Sequence, residues 1–191
     1  RPLRPDYLTD LLSALLLNGQ AARGLQIAED YRDLLKSKPR LQTLRAHLFS
    51  AKGNNMQAVA EFEGLIRSSA SFDDNAVDHL LQHLHAALPA EERLPLNRAL
   101  MRQVDRPATR RATIRTLLEL NKRDAVSREL RSFYATYGID AKAKIIEAEH
   151  ALLLGQRKNA LNALEQAEDQ APDLIQTYLL RASILQGDPA P

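Results

Sequence analysis

The sequence predicts an all-α protein built from helical hairpins, and three observations carry that expectation. Apolar residues recur at i, i+3 and i+4 through most of the chain, the spacing of one helical face. Aromatic residues make up 5% of the 191 residues and Trp is absent, so the core must be assembled from Leu and Ala, which suit helices. A turn residue recurs at multiples of 34 positions: Gly19, Gly53 and Gly155 fall on the period, with Asn121 and Ala87 in its two looser places. Self-similarity at such a period marks an array of helical repeats, here about eleven helices and no strand.

In chain order, residues 1–5 carry Pro2 and Pro5 and read as an irregular lead-in. The first helix presents Leu8, Leu11, Leu12, Leu15 and Leu16 on one face, and Asn18-Gly19 turns the chain. A second helix over 21–37 carries Leu25, Ala28, Tyr31 and Leu35, and Lys38-Pro39 closes it. The second pair has Ala46 and Phe49 before the turn Lys52-Gly53-Asn54-Asn55, and Ala58 and Phe62 after it. Ser71 or Asp73 is the expected cap of the next helix.

The third pair, about 73–106, departs most from the pattern. Ala87 stands at the glycine place and Pro89 and Pro95 lie where the return helix should begin. Proline is tolerated in a first turn, so this helix is expected to start late, with Leu96, Ala99 and Leu100 in its core frame. In the fourth pair Pro107 opens a helix whose inward residues are Ile114, Leu117 and Leu118, and Asn121 takes the turn. Leu130 and Phe133 pack on its return helix, Gly138 stops it, and Asp140 caps the next. The fifth pair carries Ile145, Ala148, Ala151 and Leu152, then Gly155, then Ala160, Leu164 and Ala167, and Pro172 ends it. A last helix from Asp173 to about Gln186 is expected to pack through Tyr178, Ala182 and Leu185, before the loose segment 187–191.

The stretch 141–172 resembles a tetratricopeptide repeat, on Ala148, Gly155, Ala160, Leu164, Ala167 and Pro172; residues 39–72 show the same frame on Ala46, Gly53, Ala58 and Phe62. The resemblance implies one domain over 1–191, a right-handed α-solenoid of five helical-hairpin repeats (about 5–38, 39–72, 73–106, 107–140 and 141–174) plus a terminal helix over 173–187. Ala46, Ala148, Ala160 and Ala182 should then be buried where helix backbones approach closely.

Composition narrows the function. Twenty-six basic residues against 24 acidic ones give a net charge of +2, which makes no global case for nucleic acid or an anionic membrane. With no cysteine, disulfides, thiolate zinc sites and cysteine nucleophiles are excluded. No run approaches 18 consecutive apolar residues, so no transmembrane helix is expected. The start at Arg1 without a signal-peptide pattern and the loose end read as a piece of a longer protein. None of the motifs of phosphate loops, nucleophile elbows, zincins or dinucleotide folds occurs, and the expectation is a protein without catalytic residues or cofactor.

Two clusters stand out. His79 and His83 sit at i and i+4 after Asp78, a spacing able to hold a metal but with no matched third ligand, so no metal site is expected. Arg102, Arg106, Arg110, Arg111 and Arg115 form the densest basic run, readable as an anion or RNA contact or as a solvated face paired with acids such as Glu119.

The resemblance implies a protein-interaction scaffold whose concave groove holds a partner segment. In that frame the groove is lined by Arg40, Thr43, His47 and Ser50, by Arg111 and Arg115, and by Lys142 and Glu149. The family's lysine–asparagine clamp for a terminal carboxylate is missing, its first-repeat places holding Thr9 and Ser13. The expected partner is a protein or peptide with an acidic segment. The alternative is an RNA- or anion-binding repeat protein, which the absence of a recurring polar pair disfavours. By family analogy the setting is a bacterial cell-envelope assembly for secretion, pili or exopolysaccharide export, in cytoplasm or periplasm, tethered to the inner membrane through residues outside this chain.

Overall fold

The computed structural model describes residues 4–68 and 72–187. Among them are twelve helices and no strand. They fall into two compact units, residues 1–109 and 110–191, each considered in turn.

The first unit holds α1 (Pro5–Leu17), α2 (Ala21–Asp30), α3 (Arg32–Lys36), α4 (Pro39–Ala51), α5 (Asn55–Arg67), α6 (Asp74–Ala87), α7 (Ala90–Gln103) and the first turn of α8 (Pro107–Glu119). Helix α4 is its hub, packed on α1, α2, α3, α5 and α6; α7 closes the unit against α5 and α6. One cluster of fully or nearly buried residues, including Ala46, Phe62, Leu84 and Leu100, joins α4 to α7. A second, including Leu8, Leu12, Ala28 and Leu48, joins α1 to α4.

The second unit holds the rest of α8, then α9 (Arg123–Tyr137), α10 (Ala141–Leu153), α11 (Arg157–Gln170) and α12 (Ile175–Gln186). Ala148, Ala160 and Ala167 are fully buried where α10 and α11 pack along each other, and Leu180 and Ile184 of α12 close that core. No helix among the described residues is long and apolar enough to cross a membrane.

The recurring turns have one geometry. At Gly19, Gly53, Asn121 and Gly155 φ is +69°, +79°, +53° and +72°. At each, the next residue's N–H reaches back five residues: Gln20 to Leu15 O (2.8 Å), Asn54 to Phe49 O (2.9 Å), Lys122 to Leu117 O (2.9 Å) and Gln156 to Ala151 O (2.8 Å). This Schellman arrangement satisfies the last carbonyls of a helix and needs a left-handed residue, which Gly takes freely and Asn tolerates.

At Ala87 the turn is made another way. Leu88 is extended (φ −128°, ψ 144°) and Pro89 (φ −64°, ψ 161°) leads into α7. The carbonyls left over at the end of α6 find side-chain donors instead. Ser50 Oγ donates to Ala87 O, and buried Arg93 donates through Nη1 to His85 O (3.1 Å) and Leu88 O (3.2 Å).

Several expectations need correcting. Pro5 is not lead-in but the first residue of α1; residues 1–3, Ser71 and residues 188–191 lie outside the described residues. Of the two caps considered for α6, Asp73 serves, its Oδ1 accepting from Ala76 N–H (2.8 Å). Leu11 is 39% exposed, at the edge of the α1 face that buries Leu8, Leu12 and Leu15. The helix expected over 21–37 breaks at Tyr31 (φ −114°) into α2 and α3, and nothing in the structure explains the break. Helix α7 does not start late: Pro95 lies inside it, and both Pro95 and Glu91, whose carbonyl loses its helical donor, are exposed residues. In α12 the frame is displaced. Thr177, Leu180 and Ile184 are buried, whereas Tyr178, Ala182 and Leu185 are exposed. The Ala182 place is buried in the other pairs by a return helix, and no helix follows α12 among the described residues.

Candidate functional site

In the first unit a groove of about 790 Å³ opens between three helices. From α1 comes Ser13; from α4, Arg40, Thr43 and Leu44; from α6, Ala76, His79, Leu80 and His83. Pro39 of α4, Leu65 of α5, Phe72 and Asp73 complete its lining. Packing explains the composition. Helix α4 packs on α1 on one side and on α6 on the other, so α1, α4 and α6 line one wall.

Arg40 and Thr43 therefore face the same groove. Thr43 is nearly buried and its hydroxyl donates to Pro39 O (2.9 Å), so it lines the floor. His47, one turn further, turns to α6: its Nε2 lies 2.8 Å from Nδ1 of His83, and one proton is shared between the rings. Phe62 meets the His47 ring edge-on. Burial, with His83 beside it, lowers the His47 pKa to about 4. His83 is also pushed down, by burial first and then by His79 and Arg40. Ser50 holds the end of α6.

The second unit holds the other expected groove residues. Arg111 Nη1 donates to Asp140 Oδ2 (2.8 Å), and Arg115 pairs with Glu149. Burial pushes the Glu149 pKa up and Arg115 pulls it back. With Lys142, the two arginines border a hollow of about 200 Å³. Arg115 and Glu149 are 34 residues apart, so the period that sets the turns also brings this pair together. Elsewhere in the basic run, Arg106 pairs with Asp74, and Arg110 donates to Ser132 Oγ (3.1 Å) and lies over the Tyr137 ring. Arg106, Arg110, Arg111 and Arg115 thus have partners within the chain.

Sequence reasoning missed a polar cluster in the second unit. Tyr134 donates to Glu147 Oε2 (2.7 Å), Lys144 Nζ donates to the same oxygen (2.7 Å), and Ser127 Oγ meets His150 Nε2 (2.9 Å). They line a hollow of about 600 Å³ along α9, α10 and α11. Lys144 and His150 are buried. Burial raises the Tyr134 pKa, and Glu147 raises it further; burial lowers that of His150. The signal in the sequence was the i, i+3 pair Lys144–Glu147 on a helix otherwise rich in Ala and Ile.

His79 and His83 gather no third ligand: no group of three or more His, Asp or Glu able to hold a metal occurs among the described residues. No family model, curated protein or solved structure matches the chain.

Proposed function

We propose that the chain is a tetratricopeptide-like interaction module whose helical pairs form an α-solenoid, and that the groove of the first unit holds a segment of a partner polypeptide. The observation that carries this reading is the groove's wall: the first helices of three successive pairs each contribute side chains to one hollow of about 790 Å³. That size falls in the range of ligand-binding clefts, and its mixture of apolar floor and few polar groups is what such clefts use to fix orientation. Arg111, Arg115, Lys142 and Glu149 would offer a contact of their own within the second unit. The wider setting, a scaffold in a bacterial cell-envelope assembly, follows from the family resemblance alone.

The test is a titration of fluorescent twelve-residue peptides of acidic, basic and neutral composition against the chain and its Ala76→Trp variant. Ala76 lines the groove, and an indole there would obstruct it. At least one peptide class should bind, and the variant should bind it at least tenfold more weakly with unchanged circular dichroism. Equal affinity of a folded variant, or no binding by any class, overturns the reading.

A further inference from the structure

The groove of the first unit carries an imbalance of charge that its apolar walls make visible. Arg40, His79 and His83 line it together. Arg40 and His79 are exposed, and among the described residues neither has a carboxylate partner. The other arginines expected to line a groove, Arg111 and Arg115, each have one. The sole carboxylate in the lining is Asp73, and its Oδ1 is occupied by the Ala76 N–H at the start of α6. Ser13 of α1 and Leu65 of α5, which complete the wall, cannot ionise.

We infer that this groove is a site for an acidic peptide segment whose grip is gated by protonation: Arg40 and His79 border the place of the carboxylate, and His83 joins Arg40 in holding it when it takes up a proton. The inference rests on the groove reading above and adds the chemistry of the partner and its control. The His47–His83 pair supplies the geometry. His47 is held neutral by burial, so it accepts from His83 and leaves the proton that His83 gains, on its other ring nitrogen, for the ligand. Without ligand, Arg40 and His79 oppose protonation of His83. A carboxylate between them reverses that opposition, because an opposite charge within a few ångströms favours the charged imidazole. Linkage then requires that binding take up protons, and that affinity rise as pH falls through the imidazole range. The apolar floor of Leu44, Leu65 and Leu80 suits a segment in which acidic residues alternate with leucine-like ones.

The probe is an acetylated and amidated decapeptide of alternating Glu and Leu, compared with its Gln–Leu counterpart. Glutamate remains ionised at pH 5.5, so the ligand's own titration does not intrude. Affinity for the Glu peptide should rise at least tenfold from pH 7.5 to 5.5, and the Gln peptide should show no such rise. In the His79→Gln, His83→Gln double variant the rise should vanish, and Arg40→Gln should weaken binding at both pH values. Where the double variant does not fold, imidazole resonances of the unaltered chain decide: the titration of His83 should move to higher pH when the Glu peptide is added. Binding of both peptides without pH dependence, or a rise that survives in the folded double variant, overturns gating and leaves the groove reading standing. Failure of the Glu peptide to bind while another composition does overturns the partner's chemistry alone.

Discussion

Gly24 of α2 lies so close to Leu48 of α4 that a Cβ built on it would stand 2.7 Å from Leu48 Cδ2. Leu48 is fully buried, so it has nowhere to retreat. In an exposed helix Gly→Ala gains about 1 kcal/mol in propensity. Here overpacking should reverse the sign, and Gly24→Ala should destabilise by about 1–3 kcal/mol. Chemical denaturation of the variant checks this; a more stable Gly24→Ala would mean that α2 shifts without cost.

The left-handed turns can be compared among themselves. A Cβ at Gly155 would meet nothing within 4 Å, so any penalty comes from φ +72° alone. Gly155→Val should cost about 1–3 kcal/mol through backbone strain. Asn121→Gly, at φ +53°, should be neutral or stabilising by up to about 1 kcal/mol because Gly occupies that region without a Cβ clash. Thermal melts of the two variants moving in the same direction would count against this account.

Arg93 replaces a left-handed turn by a side chain. Arg93→Met keeps much of the buried stem but leaves the His85 and Leu88 carbonyls without that donor. Stability should fall by about 1–3 kcal/mol, the cost of unpaired buried polar groups. The loss should be local, with hydrogen exchange accelerating first at the end of α6 and the start of α7. Unchanged exchange there would show the carbonyls are satisfied otherwise.

The buried imidazoles give stability a pH dependence. The His47 pKa is about 4 in the folded chain against an ordinary 6.5, and His83 and His150 are also lowered. Between those values the unfolded chain binds more protons than the folded one, so stability is greatest above about pH 6.5 and falls as pH drops toward 4. In His47→Leu the fall over this window should be shallower, measured as melting temperature against pH. An identical slope in both proteins would remove His47 as its source.

How much of this was legible in the sequence varies with the range of the physics involved. Gly19, Gly53, Asn121 and Gly155 were readable because a positive φ restricts the residue itself, without reference to its neighbours. The departure at Ala87 was readable for the same reason, but its remedy was not: Ser50 and Arg93 reach the end of α6 from 37 and 5–8 residues away. The groove residues Arg40 and Thr43 could be placed together with His79 and His83 once the period aligned the first helices. The His47–His83 bond could not, because it depends on side-chain direction across two helices. The frame of α12 was misread because repeat-position reasoning assumes a following helix to cover Ala182.

That uncovered face of α12 has a consequence for how the chain behaves in concentrated salt. Ile175, Tyr178, Leu179 and Leu185 are 69%, 47%, 66% and 61% exposed, and the helix's one charged residue, Arg181, is paired with Glu168. No lysine or glutamate interrupts the stripe to hold water around it. Excluded salts such as sulfate raise the cost of wetting such a surface, whereas chaotropes lower it. In concentrated sulfate these leucine-sized side chains therefore favour association, which a net charge of only +2 opposes weakly.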